Sequence, residues 1–280
     1  MSHIFSRDAS LLTRHAVSAQ GCYVVDDTGK RYLDGSGGAA VSAYGHNHPV
    51  ILDAIRRHLD CVVDTHSMFF ITDSQKQLAH HLFELSGGHF ANSLFFSSGS
   101  EAIEAALKVA RQFHVERGDS QRVHVVSRQK SYHGNTMGAL SLSDASRGPY
   151  FSPYLLPSAQ VPAFFPYRGQ GMEESVNDYA MRCANALEET LHELGPETVS
   201  AFFLETVVGS SLGAVPTPPC YLKRAREICD RYGVLLVFDE VMCGAGRTGS
   251  FFAWEQECAK PDILTLAKGL SGGHLPLSAV

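Results

Sequence analysis

Residues 234–270 read VLLVFDEVMCGAGRTGSFFAWEQECAKPDILTLAKGL. The runs Val234–Val241 and Ile263–Ala267 are nearly continuous in apolar residues, the pattern of strands buried on both faces. Asp239 sits at the end of the first run and Lys268 follows the second. In a parallel sheet with both faces covered, ligands bind outside the carboxyl ends of the strands. An aspartate and a lysine converging there suit a cofactor with a basic ring nitrogen and an aldehyde carbon. The aspartate would hold the nitrogen protonated, and the lysine would form a Schiff base with the aldehyde.

Upstream of this stretch the chain alternates between strands and helices. Leu94–Ser97, Val123–Ser127 and Val199–Glu205 read as strands; Glu101–Arg117, Glu173–Leu194 and Tyr221–Tyr232 read as helices. Residues 21–35 read as two short strands joined by the turn Asp26-Asp27-Thr28-Gly29. Helices follow near Pro49–Leu59 and Ser74–Leu85. Residues 144–172 contain Pro149, Pro153, Pro157, Pro162 and Pro166 and read as an irregular surface excursion. The closing residues PLSAV read as the start of another strand. The expected fold class is α/β: a mostly parallel sheet sandwiched by helices, with an N-terminal part of a smaller α+β domain. The expected boundaries are 1–70 for the N-terminal segment and 71–280 for the large domain.

The chain has 280 residues, 44% of them hydrophobic, so it can bury a large core. A formal charge of −6 argues against a nucleic-acid footprint, which needs a basic face. No apolar run approaches the ~18 residues of a membrane span. The N-terminal MSHIFSRDASLLTRHAV shows no leader pattern. Seven cysteines without a CxxC fit reduced thiols and a cytoplasmic protein.

Several other residues could carry chemistry. Ser98, Gly99 and Ser100 lie between a strand and a helix, where free N–H groups and the helix dipole hold an anion such as a cofactor phosphate. The competing reading is an ordinary N-cap at Ser100. Tyr132, in Ser131-Tyr132-His133-Gly134, either stacks on a planar cofactor or lies in a surface turn. Glu205 ends the run AFFLE; it either caps the sheet edge in water or joins Asp239 and Lys268 in the crevice. Gly244–Gly249, GAGRTG, formally matches a dinucleotide fingerprint, but no amphipathic helix follows it. A tight loop is the better reading, with Arg247 reaching into the site or an interface. The pairs His46/His48 and His80/His81 fit no metal template.

Together the segments YLDGSGGAAVSAYGHNHP, FFSSGSEAIEAALKVAR, SYHGNTMGALSLS, LVFDEV with GAGRTG, and DILTLAKGLSGG resemble the class III pyridoxal-phosphate aminotransferases of fold type I. The resemblance implies pyridoxal 5'-phosphate as cofactor and amino transfer from an amino acid or amine donor to an oxo acid. It implies that Lys268 forms the Schiff base and shuttles a proton, and that Asp239 pairs with the pyridine nitrogen. Ser98, Gly99 and Ser100 would hold the phosphate. Tyr132 and Val241 would pack on opposite ring faces, with His133 and Glu205 beside the cofactor. Ser36, Gly37 and Gly38 would line the substrate entrance. A homodimer with its active site at the subunit interface is implied, with neither nucleic acid nor membrane as partner.

Met242 stands where many family members have glutamine, and Thr206 stands where proline is usual. DEVMCG and YHGNT look more like the branch that uses ω-amino acids or amines with pyruvate. The family's chains run on past the lysine strand, so the resemblance implies a C-terminally truncated chain. An aminomutase or another pyridoxal-phosphate activity on the same scaffold, or a catalytically incompetent fragment, remain the alternatives.

Overall fold

A computed structural model describes residues 3–5, 13–147, 149–256 and 259–280. The reading of the N-terminus as leaderless falls largely on residues 1–2 and 6–12, outside the described residues. The chain forms two compact units, Met1–Asp64 and Thr65–Val280.

The smaller unit holds an antiparallel sheet of β1 (Ala16–Gln20), β2 (Tyr23–Asp26) and β3 (Arg31–Leu33). Only β2 and β3 were legible as strands; β1 is mostly exposed and has little apolar alternation to reveal it. Asp26 fastens the β2–β3 turn, accepting from Thr28 N, Lys30 N, Thr28 Oγ1 and Tyr32 Oη. The helix α1 (Pro49–Leu59) has Pro49 in its first turn, where a missing N–H costs nothing.

The larger unit is built on a parallel sheet in the order β11–β10–β7–β5–β6. These strands are β5 (His124–Arg128), β6 (Ser158–Val161), β7 (Val199–Glu205), β10 (Leu235–Asp239) and β11 (Ile263–Thr265). A short antiparallel pair, β4 (Phe95–Phe96) with β12 (Ser278–Ala279), joins β11 through a bridge between Leu266 and Ala279. The expected α/β architecture is therefore present. One reading was wrong: the proline-rich stretch 144–172 contains β6, the edge of the sheet. Its polar residues concealed it. Ser158 Oγ donates to Ser141 O, and the Gln160 amide donates to Ser143 O.

The run AFFL in β7 is apolar throughout because helices cover both faces. Ala201 and Phe203 pack with Val125 and Val237 under α3 (Gly99–Glu116) and α4 (Met137–Leu142), through Ile103, Ala106, Ala110, Ala139 and Leu142. Phe202 and Leu204 face the other side, with Leu236 and Phe238, under α5 (Val176–Leu194) and α6 (Pro219–Tyr232). α2 (Asp73–Leu85) adds Leu82 to that core and starts with a Thr72–Gln75 capping box. Each fully buried phenylalanine contributes about 1.5–3 kcal/mol of transfer free energy. α6 has Pro219 in its first turn and ends at Gly233 in the left-handed conformation. The result is a rigid sheet whose carboxyl edge presents Arg128, Glu205, Asp239 and Thr265.

Candidate active site

Asp239 is the last residue of β10 and only 4% exposed. Strand register places Glu205 beside it on β7 and Thr265 beside it on β11. Its Oδ1 accepts from Val241 N at 2.9 Å and from Thr265 Oγ1 at 3.4 Å; its Oδ2 lies 2.8 Å from His133 Nδ1. A carboxylate has about four acceptor positions, so one remains open on Asp239. His133 is buried, contacts Phe203 edge-on, and its Nε2 has no hydrogen-bond partner among the described residues.

Glu205 is also buried, so it does not cap the sheet edge in water. Its Oε1 accepts from Tyr132 N at 3.0 Å and its Oε2 from Gly209 N at 2.8 Å. Burial pushes its carboxyl above the usual range; His133 pulls the other way and Asp239 adds to the rise.

Lys268 follows β11 by three residues and opens a single 3-10 turn, Lys268–Leu270. Its φ is +41°, a left-handed conformation that costs a non-glycine residue about 1–3 kcal/mol. Such strain persists where the surrounding structure imposes it, and it clusters at functional sites. The half-buried amine makes no hydrogen bond or ion pair among the described residues. Burial lowers its pKa below the ordinary lysine value. Asp239 and Glu205 oppose that shift, and the Arg247 charge reinforces it.

The anion cradle differs in detail from expectation. Helix α3 begins at Gly99, and its N-cap is Ser98 rather than Ser100. Ser98 Oγ accepts from Glu101 N and donates to Glu101 Oε2, so this hydroxyl is committed to the cap. Ser100 Oγ accepts from Asn135 N at 3.0 Å and keeps its own hydrogen for another acceptor. The first-turn N–H groups of Gly99 and Ser100 have no intrahelical acceptor. A Cβ on Gly99 would lie 2.8 Å from Val241 Cγ1, so glycine is what lets the helix start approach the residue two beyond Asp239.

Ser36, Gly37 and Gly38 lie in the smaller unit. Gly37 and Gly38 have φ of +57° and +66°, and Gly38 N donates to Asp34 Oδ1. The GAGRTG loop leads into the short 3-10 segment Ala253–Gln256, not into an amphipathic helix. Arg247 Nε donates to Met242 O at 2.6 Å. His46 pairs with Asp34, and His80 and His81 pair with Glu84.

Glu240 escaped the sequence reading, although a second acid after a buried run was a usable signal. It is fully buried. Oε1 accepts from Trp254 N and Thr206 Oγ1, and Oε2 accepts from Ala253 N. It therefore ties the far end of the GAGRTG loop to the strand that bears Asp239. Burial raises its pKa to about 7, against the three hydrogen bonds, which favour the charged form. A carboxyl with a raised folded pKa stabilises the fold fully below its unfolded value of 4.5, and that contribution is lost as pH rises through about 7. The shift corresponds to about 3 kcal/mol. Unfolding in urea at pH 5, 6, 7 and 8 should show stability falling across this window, with Glu205 adding in the same direction. Glu240→Gln should have a shallower slope; a variant slope equal to the wild type's would refute the assignment to Glu240.

An unpaired lysine, a buried aspartate–histidine pair and a helix N-terminus thus surround the carboxyl edge of one parallel sheet. A sequence model of the family described as aminotransferase class III matches residues 4–280, and the chain belongs to that family. It is 40% identical over 271 residues to an aminotransferase of Gibberella zeae, covering 95% of this chain and 53% of that one. Among solved structures, it is similar to an amine transaminase from an uncultivated Pseudomonas species in its PLP-bound form. There the TM-score is 0.92 and the identity 33%, over 100% of this chain and 64% of that one. It is also similar to an (S)-enantioselective omega-transaminase from Thermomicrobium roseum, with TM-score 0.90 and 34% identity over 95% of this chain and 59% of that one. The chain therefore spans between half and two thirds of the length of these relatives.

Proposed function

We propose that this chain provides the cofactor site of a pyridoxal 5'-phosphate-dependent aminotransferase. The observation that carries the reading is the unpaired, half-buried Lys268 set against the buried Asp239–His133 pair. The residues fit the group. Asp239 has an acceptor position open, the first turn of α3 offers unsatisfied N–H groups, and Gly99 keeps that turn against Val241. When bound, pyridoxal phosphate supplies an aldehyde carbon conjugated to a protonatable ring that takes up electron density.

The chain's own residues do the rest. Gly99 N, Ser100 N and Ser100 Oγ would hold the phosphate, while Ser98 keeps the helix start in place. Tyr132 and Val241 would flank the ring. The Asp239 carboxylate would hold a proton on the ring nitrogen, and His133, bonded to Oδ2, fixes the orientation of that carboxylate. Lys268 would hold the aldehyde carbon by condensing with it and expelling water, and would be released as a free amine when the substrate amine takes its place. Once released, that amine, its pKa lowered by burial, would take a proton from substrate Cα and return it. Glu205 orders the backbone at Tyr132 and Gly209. The family resemblance supports assigning Ser36, Gly37 and Gly38 to the substrate entrance.

We assign the activity to the branch that pairs ω-amino acids or amines with pyruvate, in a homodimer. The amine- and omega-transaminase relatives and Met242 in DEVM support the branch. A cytoplasmic setting is supported by the described cysteines, all of which are free thiols. Among the described residues no helix is long and apolar enough to cross a membrane. The test is an assay with an amine donor, pyruvate and added pyridoxal phosphate. Alanine should form only when both substrates are present. Rearrangement of a single amino acid without pyruvate would replace this reading with a mutase.

A further inference from the structure

Arg128 is the last residue of β5 and is 1% exposed. A buried charge is ordinarily paired with an opposite one. Among the described residues Arg128 has no carboxylate partner. Its Nη2 donates to the main-chain carbonyl of Glu205, its Nη1 donates to Thr217 Oγ1 at 2.9 Å, and its Cζ lies 5.5 Å from the centre of the Tyr221 ring.

Those two acceptors are the two feet of one hairpin. β7 ends at Glu205; the chain then forms β8 (Val207–Val208) and β9 (Val215–Pro216) and returns at Thr217. Thr217 N donates to Thr206 O, closing the base of the hairpin. The guanidinium fork spans both feet at once, which a single ammonium cannot do. Its own carbonyl accepts from Ser131 Oγ, at the start of the segment bearing Tyr132 and His133. Beyond the fork, the Glu205 carboxylate reaches Tyr132 N on one side and Gly209 N, inside the hairpin, on the other.

We infer that Arg128 is a positioning residue that locks the 205–217 hairpin to the end of β5, and through the Glu205 carboxylate sets the place of Tyr132 in the cofactor site. The inference about the lock rests on geometry alone; its consequence for cofactor binding rests on the function proposed above. The path runs from the Arg128 fork to the Glu205 main chain, then from the Glu205 side chain to the Tyr132 and Gly209 amides. None of these groups needs to touch substrate for the lock to act.

The test uses Thr217→Val, which removes one acceptor at nearly constant volume, Thr217→Ser, which retains the hydroxyl, and Arg128→Lys, which keeps the charge without the fork. Amide hydrogen exchange at Tyr132 and Gly209 is read first, without cofactor. It should quicken about tenfold or more in Thr217→Val and Arg128→Lys and stay near wild type in Thr217→Ser. Unchanged exchange in both of the former, or equal acceleration in all three, overturns the lock. Titration with pyridoxal phosphate is read second, and its dissociation constant should rise about tenfold in Thr217→Val and recover in Thr217→Ser. Faster exchange with unchanged cofactor affinity would confine Arg128 to a structural role and overturn its positioning of Tyr132. If the variants show the exchange pattern but the wild-type chain binds no pyridoxal phosphate, the proposed function is overturned and the lock stands.

Discussion

On the proposed function, Lys268→Ala should lower amino-transfer turnover by on the order of 10³-fold or more, since it would remove both the amine assigned to the cofactor carbon and the base assigned to the substrate proton. Stability should change little. The amine makes no hydrogen bond among the described residues, so its removal leaves no buried group without a partner. Alanine must adopt the same left-handed backbone as lysine, so the strain at φ +41° stays. The loss should thus appear in kcat with the melting temperature nearly unchanged. The visible absorbance of the cofactor-loaded protein should revert to that of free cofactor. Retention of full turnover by Lys268→Ala would sink the assignment. A pH series on the wild type adds a second check. Burial lowers the lysine pKa, so the rising limb of activity that follows its deprotonation should lie below the 10.5 of an ordinary lysine.

Asp239→Asn should reduce turnover by about 10²–10³-fold, the range for losing one preorganised electrostatic partner in a dry site. The substitution keeps the shape and one carbonyl oxygen, which can still accept from Val241 N and Thr265 Oγ1. It removes the charge that, on the proposed function, would face the ring nitrogen. It also aims an NH2 group at His133 Nδ1, which must then become the acceptor of that contact. Asp239 is the first of the groups that hold up the Lys268 pKa, so its neutralisation should move the lysine-dependent limb to lower pH. Steady-state kinetics across pH test both parts. A variant with wild-type kcat and an unmoved limb would place Asp239 outside the site.

These effects act at a distance the chain alone does not show. Asp239 and His133 are 106 positions apart, and Tyr132 and Glu205 are 73 apart. What was legible were strand ends: an apolar run that stops at a charge marks where a buried strand leaves the core, because an unpaired charge is too costly inside it. Asp239, Lys268 and Glu205 were all found this way. Helix starts were less legible. Ser98 and Ser100 are equally good caps by composition, and the extended backbone at Ser98 (φ −148°, ψ 156°) decides between them. Arg128 was invisible, since an arginine at the end of HVVSR reads as an ordinary surface residue until its acceptors, Glu205 O and Thr217, are in place. β6 was hidden because an edge strand can be polar once neighbouring carbonyls absorb its side chains.

The sequence by itself determined the α/β class, the charged ends of β7 and β10 and the glycine-containing helix start. Each rests on local periodicity, local backbone freedom, or the cost of burying charge, and those forces act along the chain. Only the tertiary structure decided that β10 lies between β7 and β11. That order flanks Asp239 with Glu205 and Thr265, and the packing around it brings His133 and the unpaired Lys268 amine into the same electrostatic environment. Strand order and register come from pairing between distant segments, and no local pattern in the chain encodes which strand becomes a neighbour.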